Sequence, residues 1–213
     1  MAKYEEIKTA MEELDEEVLL ELAEQIIKDG GADAEICMKA CQEGIKEVGN
    51  LFESGEYFVG DLVFAGELMT QVMEIIKPAI RGSEQKPIGR MIICTVKDDL
   101  HDIGKNIVRA MLEAAGFEVL DLGIDVAPET IVQAAKDKDI NIIALSGVLT
   151  LAANSMKDTV DAFIDAGMRD KVHIIVGGNP VNAAVCETIG ADAWAIPPQE
   201  TIRVCTAWAS ESA

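Results

Sequence analysis

The sequence predicts an α/β protein in two parts: an N-terminal four-helix bundle over residues 1–82, a linker over 83–88, and a doubly wound, five-stranded parallel sheet over 89–213. Three observations carry this. Apolar residues in the first part recur only at helical spacing. From Gly89 onward they gather in short, partly β-branched runs that alternate with amphipathic stretches. Those runs end in loops bearing glycine or serine.

In the first part, Glu5 to Leu14 is a short amphipathic segment. Asp15 then offers an N-cap, and Glu16 and Glu17 suit the positive end of a helix whose apolar stripe is Val18, Leu19, Leu22, Ile26 and Ile27. Gly30-Gly31 ends it. Asp33 is placed to cap a third helix carrying Ile36, Cys37, Ala40, Ile45 and Val48, and a fourth runs from Val59 to Ile80. Four helices joined by short loops make a bundle. The polar, turn-forming stretch from Gly82 to Pro87 then reads as a linker.

In the second part, Met91 to Val96 is short and apolar, as a strand covered on both faces must be. The run after it places Ile107, Val108, Met111 and Ala115 on one helical face, with Gly116 as the stop. Strands follow at Glu118–Gly123, Asn141–Ser146, Val172–Gly178 and Ala193–Ile196. Between them lie a helix opening at Pro128, where the missing N–H costs nothing, and one through Met156, Val160 and Phe163; a last helix holds Val204 and Trp208. Strands separated by helices pair in parallel through right-handed crossovers, giving a Rossmann-like or flavodoxin-like sheet.

Composition excludes several classes. With 49% hydrophobic and 26% charged residues the chain is globular. No apolar run approaches the ~18 residues that cross a bilayer, and the start lacks a signal-peptide core, so a cytoplasmic protein is expected. The net charge of −20 opposes binding to nucleic acid or anionic membrane. The five cysteines are scattered, as in a reducing compartment. Cys37 and Cys41 share a helical face with no histidine nearby, so they read as small core hydrophobes.

The chemistry gathers in the octet Asp99-Leu100-His101-Asp102-Ile103-Gly104-Lys105-Asn106, the loop from the first strand into its helix. That is the carboxyl edge of the sheet, where open α/β folds bind ligands. His101 is one of two histidines. Asp99 can accept from one of its ring nitrogens and leave the other as an outward-facing ligand, the usual arrangement for a metal-bound histidine. Gly104 removes a side chain where a bulky group would approach. Ser146-Gly147-Val148-Leu149-Thr150 and Gly177-Gly178-Asn179 end later strands on the same edge, so with His101 they outline a slot lined by backbone and small groups. His173 falls on no such position and reads as structural.

The string from Val96 to Asn106 resembles the signature of methionine synthase and the corrinoid methyl-carrier proteins, a cobalamin-binding family. Ser146-Gly147-Val148 is similar to the family's Ser-x-Leu motif with Val for Leu, and Gly177-Gly178 to its Gly-Gly. Leu51 to Val59 is similar to the cap segment over the reactive face of the corrin. The resemblance implies cobalamin as cofactor, methylcobalamin as its working form, and His101 on cobalt in place of the displaced benzimidazole. It implies cofactor contacts from Asp99, Asp102, Ile103, Gly104, Ser146, Val148, Thr150, Gly177 and Gly178, with Phe52 and Val59 shielding the methyl group. Where methionine synthase closes a His–Asp–Ser relay with a hydroxyl, this chain has Ala152. The implied role is a non-catalytic component that accepts a methyl group on cob(I)alamin. Its partners would be a substrate-specific methyltransferase, an acceptor methyltransferase using a folate or a thiol, and a reductive activase. A mutase subunit and a cobalamin-based sensor are the competing readings.

Overall fold

A computed structural model describes residues 2–79 and 87–211, and the chain divides into two compact units, 1–86 and 87–213. The first unit is helical: α1 (Ala2–Glu12), α2 (Glu16–Lys28), α3 (Ala34–Ser54) and α4 (Val59–Ile76). The Asp15 carboxylate accepts from the Val18 amide at 3.1 Å and starts α2. Asp33, expected to cap α3 in the same way, makes no capping bond. Gly30 and Gly31 turn the chain with positive φ, and the Gly31 carbonyl accepts the Ala34 N–H at 3.1 Å instead. The interior is filled by Ile7, Met11, Leu19, Leu62, Leu68 and Ile76. Cys37 and Cys41 are buried with them as free thiols. A Cβ on Gly44 of α3 would stand 2.7 Å from the Lys8 carbonyl oxygen, so α1 and α3 approach closely because that residue is glycine. At the start of α4 the Asp61 carboxylate accepts from the Phe58 amide at 2.7 Å. The Phe58 ring is left 73% exposed. Residue 80, the expected end of α4, and residues 83–86 of the expected linker lie outside the described residues.

The second unit runs β1 (Arg90–Thr95), α5 (Ile103–Ala114), β2 (Glu118–Asp121), α6 (Pro128–Lys138), β3 (Ile142–Ser146), α7 (Ala152–Asp165), β4 (His173–Gly177), α8 (Ala183–Ile189), β5 (Ala193–Ala195) and α9 (Pro198–Glu211). The strands are parallel, in the order β2-β1-β3-β4-β5. The chain leaves β1 toward one neighbour and returns on its other side, so the order reverses between β1 and β3, where this architecture opens a crevice. Strand residues alternate between two cores. Ile92, Cys94, Ile143, Leu145 and Val176 pack with Met156, Val160 and Phe163 of α7. Met91, Ile93, Ala144, Ile175 and Ala195 pack with Leu112 of α5 and Cys205 of α9. At the far edge of the sheet His173 stacks on Trp208, with ring centroids 4.8 Å apart and 12° between planes. Among the described residues no helix is long and apolar enough to cross a membrane.

Candidate functional site

The loop after β1 is braced before it presents anything. Asp98 takes a left-handed φ of 66° and its amide donates to the Asp125 carboxylate at 2.7 Å. The Thr95 hydroxyl donates to the Asp99 carbonyl at 2.5 Å and accepts the Asp125 amide at 2.9 Å. This fixes Asp99, whose side chain is fully buried. One oxygen, Oδ1, accepts from the His101 amide at 3.0 Å and lies 2.9 Å from His101 Nδ1. The other, Oδ2, accepts from the Val148 and Leu149 amides at 2.7 and 3.0 Å.

The electrostatics follow from that set. Burial pushes the Asp99 carboxyl up, but the amides of Leu149, His101 and Val148 and the His101 ring outweigh it and hold the pKa at about 2. Asp99 is therefore an anion at neutral pH, and Nδ1 of His101 must carry the hydrogen that faces it. In the neutral ring Nε2 is then the lone-pair nitrogen, on a side chain 52% exposed. Among the described residues nothing hydrogen-bonds Nε2, and no three His, Cys, Asp or Glu side chains converge to hold a metal. His101 thus offers a metal one bond, which suits a complex that brings its own equatorial ligands. Ala152, at the position where a relay hydroxyl would stand, is buried, and Asp99 Oδ2 is bonded by the two loop amides of Val148 and Leu149.

Beside His101 a slot of about 120 Å³ enters between the sheet and the α5/α9 layer. Ser146, Gly177 and Ala195 are register partners at its mouth; Ile93, Ala144 and Ile175, two residues earlier on their strands, form the floor. Gly104, Lys105 and Val108 of α5 make one wall, and Thr201 of α9 closes another side. The helix α5 begins at Ile103, so Gly104 stands in its first turn. A Cβ on Gly104 would meet no protein atom within 4 Å. Nothing in the fold asks for glycine there, and the space it frees belongs to the slot. Lys105 is buried, its ammonium bonded to Asp121 and to the Asn106 side chain, while Arg109 reaches the same Asp121 oxygen at 3.1 Å. Burial pushes the Asp121 carboxyl up, but Lys105, the Gly123 amide and Arg109 leave it below its ordinary value.

Two B12 binding domain models match the chain, one over residues 3–77 and one over 89–204. Trimethylamine corrinoid protein 1 of Methanosarcina acetivorans is 40% identical over 198 residues, 90% of this chain and 92% of that one. The chain belongs to the B12-binding family. A crystal structure of a cobalamin-binding protein from Desulfitobacterium hafniense is 44% identical, covers 95% of this chain and 96% of that one, and superposes with a TM-score of 0.84. The methanol:cobalamin methyltransferase complex of Methanosarcina barkeri shares the fold, with a TM-score of 0.82 at 24% identity over 98% of this chain and 80% of that one.

The cofactor of this B12-binding chain is cobalamin, and the site fits it. A lone basic nitrogen stands at a largely apolar slot, and exposed Leu100, Leu149, Leu151 and Ile196 in loops and Ile103 at the start of α5 lie at the same sheet edge, as an apolar macrocycle face requires. Of the residues picked from sequence, His101, Gly104, Ser146, Val148, Gly177 and Gly178 line the slot, and Asp99 holds the histidine from behind. Asp102, Ile103 and Thr150 do not line it; Ile103 is 75% exposed at the start of α5. Phe52, half-buried in α3, and Val59, 46% exposed in α4, belong to the helical unit. The reason for the paired glycines differs from the one expected. A Cβ on Gly177 would stand 2.9 Å from the Ala195 carbonyl, and one on Gly178, at φ 116°, would overlap the Gly147 carbonyl. The protein's own backbone demands them. Sequence reading missed two residues of the lining: Thr201, on no motif, and Lys105, inside the motif but with no partner visible.

Proposed function

We propose that this chain is a corrinoid methyl carrier. It takes a methyl group from a substrate-specific methyltransferase and presents it to a second methyltransferase with a folate or thiol acceptor; a reductive activase is a third partner. Relatives named trimethylamine and dimethylamine corrinoid proteins, at 40% and 35% identity, support methylamines as the source of the methyl group. When bound, cobalamin supplies a cobalt centre that accepts and releases a methyl group. The observation that carries the reading is the His101–Asp99 pair, an imidazole whose Nδ1 is held by a buried anion and whose Nε2 has no protein partner among the described residues.

Each residue then has a task. His101 Nε2 ligates cobalt, and Asp99 keeps the ring in the one tautomer that can ligate. Gly104, Ser146, Val148, Gly177 and Gly178 bound the slot that receives the nucleotide tail, with Asp102, Ile103 and Thr150 outside it toward the rim. The helical unit, through Phe52, Val59 and Phe58, shields the methyl-bearing face from water. Reconstitution with methylcobalamin tests the ligation. The wild type is expected to show the absorption of a nitrogen-ligated corrinoid, and His101→Ala that of the form without one. Coincident spectra would remove His101 from the metal. Transfer of labelled methyl from tri- or dimethylamine to the reduced, cobalamin-loaded protein, in the presence of a methylamine methyltransferase, tests the carrier role; no labelling would overturn it.

A further inference from the structure

The slot beside His101 is apolar except for a few groups, and one of them has no explanation in the fold. Thr201, in the first turns of α9, is 6% exposed and lines the slot. Four other hydroxyls in helices of this protein are satisfied locally. Thr70, Thr159, Thr188 and Ser210 donate to the carbonyl one turn back, at 2.9, 2.8, 2.7 and 2.9 Å. Among the described residues nothing bonds the Thr201 hydroxyl. Lys105, the charged group in the same lining, is committed to Asp121 and Asn106.

The Thr201 hydroxyl is not one of the sealed, unpartnered polar atoms of the described residues, which are Arg109 Nε and the Gln199 carboxamide, so it stands open to the slot. A group that displaces water from it without replacing the bond leaves it unpaired, at about 1–3 kcal/mol. Ser146 is the other hydroxyl of the lining, and Ile93, Ala144 and Ile175 are apolar, so a partner for Thr201 comes from a group that enters the slot. We infer that Thr201 is a specificity-determining residue of the tail slot: its hydroxyl hydrogen-bonds the lower base of the cobamide and selects nitrogen heterocycles over bases that lack a hydrogen-bonding atom. This rests on the proposal that the slot receives the nucleotide tail. The physics of selection is one-sided. A phenolic lower base is smaller than dimethylbenzimidazole and leaves Thr201 unpaired, so the comparison that isolates the bond is wild type against Thr201→Val on the same cobamide. A site built to pair a polar atom rejects the analogue that lacks it more strongly than it rewards the right one.

The experiment is calorimetric binding to the apo full chain of three probes: cobalamin, a cobamide with a phenolic lower ligand, and cobinamide, which has no base. Each is titrated into wild type, Thr201→Val and Thr201→Ser. The wild type is expected to bind cobalamin roughly five- to tenfold tighter than the phenolic cobamide, the worth of one neutral hydrogen bond. Thr201→Val should lose that preference through weaker cobalamin binding, with phenolic cobamide affinity unchanged or raised; Thr201→Ser should restore it. Circular dichroism of each variant separates loss of fold from loss of contact. If Thr201→Val keeps the wild-type preference while cobalamin still outbinds cobinamide, the slot holds the tail and Thr201 does not read it. If cobinamide binds as tightly as cobalamin, the slot does not receive the tail at all, and both proposals fall together.

Discussion

Replacing Asp99 by Asn removes a charge and almost no volume, so its effect can be worked from the four hydrogen bonds. The carboxylate accepts on both oxygens, from His101 N and Nδ1–H on one side and from Val148 N and Leu149 N on the other. A carboxamide has one accepting end. If its oxygen stays with the two loop amides, its NH2 faces the His101 amide, donor against donor, and the ring can relieve the second conflict only by accepting at Nδ1. The hydrogen then moves to Nε2, and the ligating lone pair is gone. The stability cost is one lost backbone bond plus the charge assistance on the others, at about 1.5–3 kcal/mol per charged bond. The folded pKa of about 2 gives a second figure: against an unfolded value of ~3.9, ionisation of Asp99 contributes about 2.5 kcal/mol at neutral pH. Both point to a loss of about 2–3 kcal/mol. Both tryptophans, Trp194 and Trp208, lie in the second unit, so their fluorescence reports its unfolding. A fall of about 1 M in the urea midpoint is expected, for a slope of roughly 2 kcal/mol per M. Because the folded pKa is depressed, the wild-type advantage is complete above pH ~4 and shrinks as pH falls toward about 2. Bound methylcobalamin in the variant should show weakened or absent nitrogen ligation. An unchanged midpoint at pH 7 with wild-type ligation would refute the reasoning.

Other expectations concern single positions. Gly104→Val should leave the apo protein's urea midpoint within about 1 kcal/mol of wild type, the cost of a β-branched residue in a first helical turn, yet reduce cobalamin affinity at least tenfold, because the space it fills is the slot's; equal affinity would mean the tail lies elsewhere. Gly178→Val should instead unfold the second unit itself, since its Cβ overlaps the Gly147 carbonyl, so a stable Gly178 variant would contradict the described backbone. Lys105→Met removes a buried cation and leaves Asp121 to Arg109 and the Gly123 amide, a loss of about 2 kcal/mol at neutral pH. Asp121 has a lowered folded pKa, so this gap should be full above pH ~4 and narrow on acidification; thermal melts at pH 7 and below pH 4 decide it, and a gap that widens in acid would be wrong. Phe58→Ala, at an exposed ring, should leave the bundle's stability unchanged but hasten aerobic oxidation of the reduced, cobalamin-loaded protein; equal rates would remove Phe58 from the shield.

What the sequence determined by itself is what local chemistry can encode. The parallel sheet was legible because both faces of each strand are covered, which leaves continuous apolar runs such as Ile92-Ile93-Cys94. The Asp15 cap was legible because it needs only the residues beside it. His101 with Asp99 was legible because a two-residue spacing places both partners in one loop. The rest depended on chain segments meeting across the sheet. That Asp99 is an anion with its second oxygen closed was decided by Val148 and Leu149, some 50 residues away along the chain. Backbone amides carry no side-chain letter to read. Asp33 failed as a cap because its backbone, at φ −96° and ψ 10°, is not in the extended conformation that turns an N-cap side chain toward the helix amides. That the protein's own backbone requires Gly177 and Gly178 was not legible, since only the register of β3, β4 and β5 shows which backbone oxygens lie against them. Thr201 left no mark in the sequence, because a threonine early in a helix is ordinary until tertiary packing brings it to the wall of a slot and denies it a partner.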